Sequence, residues 1–414
     1  MREFEIFPWG ETRSKTGDYG KTLRDMKDCG FTGSGFVKAD QVKLCREIGL
    51  YPTVFIYCRR DVKSNNDAFR SPENGLLNIS ELIGDRSVPL TDLETAIREG
   101  LEPVPEGKAR IYLIDEPGAG CFDRIRFAAD CVKKIRPELS VYVNLLPNYA
   151  VAGARDLSQL ETETYAEYLE EFCKRVPGVP LSYDNYEVIL SCDGENARKM
   201  RNFYLNFVQA RACCDKYGVD FYHIIDSNQL RPDRTVPTMA NLLLQANASL
   251  AAGARSVSWF TYFGRGDYSW APVDDNGDRE IRTPVWYLVK EVNRRILSMG
   301  RELENMSFDG MFFTNPGDIE GAKGVEDCGS ISAFSSSLPC MIGSYSDESR
   351  RTYVVVNTSL ERSATVDLND ISGKDTEIWS CEENSYIAPL LHSRQGDSPL
   401  WIGPGDAVML SVKI

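Results

Sequence analysis

Hydrophobic and polar positions along the first three quarters of the chain alternate between two periods. Runs rich in β-branched and aromatic residues, typical of buried strands, are followed by segments with apolar residues every three to four positions, typical of amphipathic helices. The predicted strands are Phe4–Pro8, Thr32–Val37, Tyr51–Tyr57, Ala109–Ile114, Ser140–Leu145, Val179–Tyr183, Asp220–Ile225 and Ser256–Tyr262. The predicted helices are Lys21–Gly30, Asp40–Gly49, Leu90–Gly100, Asp123–Arg136, Thr164–Val176, Ala197–Gly218, Val236–Gly253 and Pro284–Leu303. Several of these helices end at a glycine just before the next strand, the usual way to terminate a helix.

Eight strand-and-helix units predict a (β/α)8 TIM barrel, with an open doubly wound sheet as the alternative. After Leu303 the helical periodicity stops, and short β-like runs recur towards the C-terminus. The predicted strands of this last part are Met341–Tyr345, Thr352–Asn357, Ala364–Asp367, Glu377–Ser380 and Ala407–Val412. We therefore expect an α/β barrel over residues 1–305, a linker and irregular segment over 306–339, and a small all-β sandwich domain over 340–414.

Composition narrows the possible partners and chemistry. The 414 residues carry a net charge of −14 without a long basic block, which disfavours nucleic acid as a partner. No run of about 18 apolar residues indicates a membrane segment, and the N-terminus lacks the pattern of a signal peptide. A cytoplasmic location is expected, or a periplasmic or secreted one if a signal peptide was removed. The two histidines and the twelve cysteines without a C-x-x-C pair predict no metal site and no cofactor, so carboxylates must carry any acid–base chemistry.

A pair of acids stands at the end of the fourth predicted strand. Asp115 and Glu116 close an apolar run, and Pro117 and Gly118 follow. Catalytic groups of β/α barrels lie at the C-terminal ends of the strands, so Glu116 is the leading catalytic candidate. The alternative is that either acid only caps the next helix.

Other polar and aromatic residues follow the remaining strands. They are Trp9 and Glu11, Arg59, Asn144, Asn148 and Tyr149, Tyr183, Asp184, Asn185, Tyr186 and Glu187, Asp226, and Tyr262 and Arg265. Amides and acids bind hydroxyl groups, aromatic rings stack on sugar faces, and paired carboxylates act at an anomeric centre. The set favours an oligosaccharide or glycoside as the ligand, although each aromatic residue is equally well explained by packing in the barrel.

The order of three motifs resembles divergent clan A glycoside hydrolases related to the family 42 β-galactosidases. The motifs are Tyr112-Leu113-Ile114-Asp115-Glu116-Pro117, then Val143-Asn144-Leu145-Leu146-Pro147-Asn148-Tyr149, then Ser182-Tyr183-Asp184-Asn185-Tyr186. The segment from Leu250 to Tyr262 is similar to the last helix and strand of that barrel. The resemblance covers about residues 1 to 300 and implies a TIM-barrel glycosidase with a β domain appended.

The resemblance implies an acid/base Glu after strand four, which Glu116 matches, and a nucleophilic Glu after strand seven, where this chain has Asp226. Three interpretations of that difference remain open. Asp226 is a shorter nucleophile in a retaining enzyme, or the wider gap admits a water and makes the enzyme inverting, with Asp226, Asp184 or Glu187 as the base. In the third, hydrolysis has been lost.

We therefore expect a glycoside hydrolase similar to the β-galactosidases. Its substrates are expected to include an anionic or unusual sugar. Arg59 and Arg265 suggest such an anionic group, through paired hydrogen bonds from a guanidinium. The alternative for Arg59 is a solvated side chain that pairs with the abundant surface acids. The alternative is a catalytically inactive glycan-binding protein on a glycosidase scaffold.

Overall fold

A computed structural model describes residues 3–59, 76–153, 157–188, 196–231, 234–264, 269–275, 277, 279–332, 334–367, 376–388 and 400–414. The chain forms two compact units. The first unit contains Phe7–Asp184 and Ala212–Ile224, and the second contains Met1–Ile6, Asn185–Arg211 and Ile225–Ile414.

Strands and helices alternate up to residue 303. The strands are β1 (Glu5–Trp9), β2 (Gly33–Val37), β3 (Tyr51–Val54), β4 (Tyr57–Cys58), β5 (Leu77–Asn78), β6 (Arg110–Asp115), β7 (Ser140–Asn144), β8 (Leu181–Asp184), β9 (Phe221–Asp226), β10 (Ser256–Phe260), β11 (Phe263–Gly264), β12 (Val273–Asp274) and β13 (Ile281–Arg282). The helices are α1 (Tyr19–Asp28), α2 (Val42–Ile48), α3 (Ile79–Gly84), α4 (Leu90–Leu101), α5 (Phe122–Ile135), α6 (Tyr165–Arg175), α7 (Asn196–Tyr217), α8 (Met239–Ala251) and α9 (Pro284–Leu303). Short 3-10 turns occur at Ala39–Gln41, Ala119–Cys121 and Val325–Asp327.

The eight principal strands lie in two four-stranded sheets, with the orders β1-β10-β9-β8 and β2-β3-β6-β7. The pairs β2–β3, β3–β6, β6–β7 and β8–β9 are parallel. In the first unit, the parallel bridges Glu11–Phe36 and Leu145–Tyr183 add contacts between β1 and β2 and between β7 and β8. This is the neighbour order of a (β/α)8 barrel, and the predicted α/β alternation is confirmed.

Glycine and threonine residues define several helix ends. Gly49 follows α2 in the left-handed region at φ 80°, and its N–H bonds the carbonyl of Arg46. Gly253, after α8, also has a positive φ. Thr164 and Thr238 cap the beginnings of α6 and α8 with their hydroxyl oxygens, which satisfies amides that the helix leaves unpaired. Among the described helices, none has both the length and the apolar character needed to cross a bilayer.

Two differences from the sequence prediction affect the region after β3. The predicted strand Tyr51–Tyr57 is divided, since β3 stops at Val54 and β4 pairs instead with β5. The short helix α3, at Ile79–Gly84, was not predicted, because six residues are too few to establish a helical period.

The first unit is packed around aromatic rings. The ring centroid of Phe36 lies 4.7 Å from that of Trp9 and 4.8 Å from that of Tyr112. Tyr142 contacts Trp9 at 5.4 Å. The guanidinium of buried Arg110 lies 4.3 Å from the ring centroid of Phe7, an arrangement that partly compensates for the loss of hydration around its charge.

The C-terminal part of the second unit is antiparallel. Its strands are β14 (Ser307–Phe313), β15 (Cys340–Ser346), β16 (Arg350–Asn357), β17 (Ala364–Val366), β18 (Thr376–Ser380), β19 (Ser385–Ile387), β20 (Leu400–Ile402) and β21 (Ala407–Lys413). Six form a sheet of order β14-β15-β16-β21-β18-β19, and β17 pairs with β20. Side chains of both sheets, including Ile342, Val355, Val366 and Ile402, share one apolar core. The expected antiparallel β region is present.

The segment predicted as an irregular linker contains a strand. β14 pairs with β15 from Ser307–Ser346 to Phe313–Met341, with an irregularity between Phe308 and Gly310. That bulge interrupts the alternation of apolar and polar residues, which hides the strand in the sequence.

The close approach of β15 to α8 makes a stability test. A Cβ built on Gly343 would lie 2.5 Å from the carbonyl oxygen of Ala251, whereas a Cβ on Gly329 would meet no atom within 4 Å. We expect Gly343→Ala to lower the free energy of unfolding by about 1–3 kcal/mol through overpacking, measured by urea denaturation. Gly329→Ala is the matched control and should stay within about 0.5 kcal/mol of wild type. Equal stabilities of the two variants would contradict the packing described.

Candidate active site

Three carboxyl groups meet around one amide in the first unit. Asp115 is the last residue of β6, Glu116 follows it, and Asp184 ends β8. Asn144 ends β7, between those two strands in the order of neighbours. The sequence placed these residues at strand ends, and parallel strands bring their carboxyl ends to one edge.

Asn144 joins the group. Its side-chain Nδ2 donates to Asp115 Oδ1 at 3.0 Å and to Asp184 Oδ1 at 2.9 Å. Its backbone carbonyl accepts the N–H of Glu116 at 2.9 Å. Asn144 is buried, with 2% of its surface exposed, and its side-chain nitrogen holds two acids in place. Its predicted contact with a sugar hydroxyl stays a prediction.

The backbone of Glu116 is held in an uncommon conformation. Its φ is +44°, in the left-handed region that non-glycine residues rarely adopt. Such conformations cost roughly 1–3 kcal/mol and persist where surrounding structure enforces them. The bond from the Glu116 N–H to Asn144 is one such constraint.

Burial raises the pKa of all three acids, and nearby like charges raise it further for Glu116 and Asp184. Burial, and then the charge of Asp115, raise the pKa of Glu116 to about 7, although a hydrogen bond with Asp184 acts in the opposite direction. Burial raises the pKa of Asp115 to about 6, and burial together with Glu116 and Asp115 raises that of Asp184 well above its ordinary value. Asp115 and Glu116 still reach solvent. For these two, burial means that protein atoms crowd the carboxyl groups although the site is open.

The loop after Glu116 is fixed by other residues of the first unit. Tyr168 on α6 donates its hydroxyl to the carbonyl of Pro117 at 2.6 Å and accepts the N–H of Leu146 at 3.3 Å. Glu161 accepts the N–H of Gly120 at 2.7 Å and is paired with Arg86. These residues were not identified from the sequence. The only trace of these contacts in the sequence is the glycine at position 120. The structure explains it, because a Cβ there would overlap the Glu161 carboxylate.

Asp226, the residue predicted at strand seven, lies in the second unit and is fully buried. Its Oδ1 accepts the backbone N–H and the side-chain amide of Asn228, at 3.0 and 2.7 Å. Gln245 bonds both its backbone N–H and its carbonyl. Burial raises the pKa of Asp226 well above the ordinary value, and the Asn228 contact and the charge of Arg234 oppose that rise. Among the described residues, none makes a hydrogen bond to Oδ2.

Several residues predicted to bind substrate lie in the core. Trp9 belongs to the aromatic cluster, Tyr183 packs against His223 at 4.9 Å, and Tyr262 accepts a bond from Trp286 at 3.1 Å. Asn185 is also buried and donates to Asn206. These contacts are those of packing residues, and a contact with a ligand stays a prediction for these side chains.

Other predicted residues remain accessible. Glu11, Arg59 and Tyr149 are exposed, and Asn148 and Tyr186 are partly exposed. Tyr186 stacks on Phe260 at 5.3 Å. Glu187 is buried with a raised pKa, and Arg265 lies outside the described residues.

Within the ranges that the structure describes, no group of three or more His, Cys, Asp or Glu residues is arranged to hold a metal ion.

Comparison with known proteins finds relatives by structure only. No family model and no curated protein matches the sequence. A catalytic mutant of Gan42B, a GH42 β-galactosidase from G. stearothermophilus, superposes with a TM-score of 0.60 at 9% identity, over 100% of this chain and 98% of that one. A β-galactosidase from Bacillus circulans sp. alkalophilus gives 0.61 at 8%, over 99% of both chains. This chain has the fold of those β-galactosidases.

The likeness to this β-galactosidase fold agrees with the resemblance inferred from the three sequence motifs. Because the superposition covers nearly the whole chain, it includes the antiparallel region after α9 as well as the β/α units. At identities this low, the likeness concerns the fold, and the chemistry depends on the residues of the cluster itself.

The charge of Asp115 provides a test of the cluster. Asp115→Asn removes a negative charge beside Glu116, so we expect the pKa of Glu116 to fall below about 7, and Glu116 to lose its proton at lower pH. Titration of the Glu116 carboxyl by ¹³C NMR, with Glu116→Gln to assign the signal, measures the change. Asp130→Asn, at an exposed position of α5, is the control and should leave the titration unchanged. An unchanged midpoint in Asp115→Asn would show that like charge does not set this pKa.

Proposed function

We propose that this chain is a glycoside hydrolase that binds an oligosaccharide or glycoside and uses Glu116 as the proton donor to the leaving-group oxygen. The observation that carries the proposal is the carboxyl cluster at the ends of β6 and β8. A general acid needs a pKa near the working pH, and Glu116 has a pKa of about 7. It also reaches solvent, so a ligand has access to it.

The sign of the pH dependence follows from this assignment. Glu116 donates only while protonated, so the donor form predominates below pH 7 and is lost as the pH rises through that value. The same raised pKa means that the folded state binds this proton more tightly than the unfolded chain does. Its contribution to stability is therefore fully present below the ordinary carboxyl pKa and decreases as the pH rises towards 7.

We assign the second carboxylate, as nucleophile or base, to Asp226. Its place at the end of the seventh strand of the β/α series supports this role, and its Oδ2 is the oxygen not engaged by Asn228. It must ionise to act, against the burial that raises its pKa. A retaining reaction requires a separation of roughly 5–5.5 Å between the two carboxyl groups, and an inverting one roughly 6.5–9.5 Å with a water between them.

The substrate class is a neutral β-galactoside-like sugar or its anionic analogue. Exposed Tyr149 offers a ring for stacking on a sugar face, and exposed Arg59 offers a donor for a carboxylate or sulfate group. The fold shared with β-galactosidases is compatible with this class but does not select it.

A second candidate function is glycan binding without hydrolysis. One observation favours it: Asp226 is completely buried and hydrogen-bonded in a turn with Asn228. A carboxylate that stays in that turn cannot attack an anomeric carbon.

The proton-donor role of Glu116 is tested with a panel of neutral and uronic aryl glycosides. We expect wild type to hydrolyse at least one of them and Glu116→Gln to lose about 10²–10⁴-fold in kcat, the usual contribution of a general acid. Substrate binding should be retained, because glutamine keeps the size of the side chain. Glu102→Gln, at an exposed site, is the control. Equal turnover in wild type and Glu116→Gln would refute the assignment, and turnover by neither on any glycoside, with binding retained, would favour the binding protein.

The role of Asp226 needs a separate variant. Asp226→Asn can still accept the two bonds from Asn228, so the turn should remain, but the side chain can no longer attack or act as a base. We expect turnover to fall below detection while the melting temperature changes little, measured by the same assay and by calorimetry. Full activity in this variant would show that the second carboxylate is another residue.

A further inference from the structure

Asp184 is a buried acid for which the proposed mechanism has no use so far. It is 3% exposed at the end of β8. The charged groups that act on it most strongly are Glu116 and Asp115, both acids. Asn144 Nδ2 lies 2.9 Å from Asp184 Oδ1 and 3.0 Å from Asp115 Oδ1, so two carboxyl groups share one donor, and Glu116 is a further hydrogen-bonding neighbour of Asp184. Carboxyl groups crowded in this way cannot all be ionised at low cost.

The bond from Asn144 determines where a proton on Asp184 resides. In a neutral carboxylic acid the carbonyl oxygen is a better acceptor than the hydroxyl oxygen, and Asn144 Nδ2 donates to Asp184 Oδ1. This bond favours Oδ1 as the carbonyl oxygen and Oδ2 as the oxygen that carries the proton of a neutral Asp184. Asp184 in that form offers one O–H donor, and the Glu116 carboxylate is the group in contact that can accept it.

The surroundings favour the neutral form of Asp184. Tyr168 on α6 and Tyr183 on β8 are fully buried, and their hydroxyl pKa values are raised well above the usual value by burial and by neighbouring groups that include Asp184. Burial also raises the hydroxyl pKa of Tyr112 on β6, and the charges of Asp115 and Glu116 raise it further. These phenols therefore stay neutral, and a phenol carries no positive charge that could stabilise an ionised Asp184. A third ionised carboxylate beside Asp115 and Glu116 would have the Asn144 amide and a backbone hydrogen bond to stabilise it, against burial and two like charges.

We propose that Asp184 works as a neutral carboxylic acid, a positioning residue that donates a hydrogen bond to Glu116 while Asn144 fixes its orientation. In this arrangement Glu116 is the group that gains and loses the proton used in catalysis, and Asp184 keeps its own. The catalytic consequence rests on the proposed proton-donor role of Glu116, whereas the protonation of Asp184 does not. This assignment differs from the alternative in which Asp184 is the base, since a base must be ionised.

Asparagine at position 184 separates the two roles. In Asp184→Asn the carbonyl oxygen can accept from Asn144 and the new amide can donate to Glu116, as the neutral acid does. We expect the variant to keep kcat/KM within about threefold of wild type and to keep the loss of activity near pH 7. Asp184→Ala removes the donor, so the loss of activity should move to higher pH, because a bond that favours ionised Glu116 is gone. A loss of about 10²-fold or more in Asp184→Asn would show that Asp184 acts as an ionised base or nucleophile.

Infrared spectroscopy tests the same inference without any substrate. At pH 8, where most of Glu116 is ionised, the carbonyl stretch of a protonated carboxylic acid should be present in wild type and in Glu116→Gln, and reduced in Asp184→Asn. Asp226→Asn is the matched control, because it removes another buried acid and identifies the part of the band that belongs to Asp226. A band equally strong in wild type and Asp184→Asn would overturn the proposal. If the band behaves as expected but no glycoside is hydrolysed, the protonation of Asp184 stands and only the proposed enzyme activity fails.

Discussion

The candidate site depends on one amide group. The Nδ2 of Asn144 donates to carboxyl oxygens on both neighbouring strands, and its carbonyl holds the N–H of Glu116. Bringing three acids together is unfavourable in itself, since each added charge raises the pKa of the others. The buried Asn144 amide bridges two of them and holds them in a defined geometry. Burial and the closeness of the acids, not the amide itself, raise the pKa of Glu116 and support the neutral state inferred for Asp184.

Part of the site could be predicted from the sequence because strand ends are easy to recognise. An apolar run that stops at Asp115 and Glu116 and then turns at Pro117 identifies both the strand and its reactive end. The same reasoning predicts that Asn144 and Asp184 lie at the ends of the next two strands. Parallel strands share one edge, so a correct strand order is sufficient to bring these residues together.

The roles of the residues were harder to predict than their positions. Strands of a parallel sheet are buried on both faces, so the period of two that marks an exposed face is lost. Tyr183 and Tyr262 follow the pattern of ligand-facing residues as well as Trp9 does, yet all three are in the core. Likewise, Asp226 has the right place along the chain, but its contact with Gln245, 19 residues away, is one that no local pattern reveals.

The N-terminal strand has a consequence for how the chain reaches its folded state. The backbone N–H of Glu5 bonds the carbonyl of Arg255, the hydroxyl of Ser256 bonds Glu5, and the N–H of Phe4 bonds the carboxylate of Glu304, 300 residues away. Contacts between residues so distant along the chain form late and slow the folding of a domain. During synthesis, the first strand leaves the ribosome long before these partners exist. The first strand can therefore pair with β10 only after residues 255 and 256 have been made, and the Phe4–Glu304 bond can form only after residue 304.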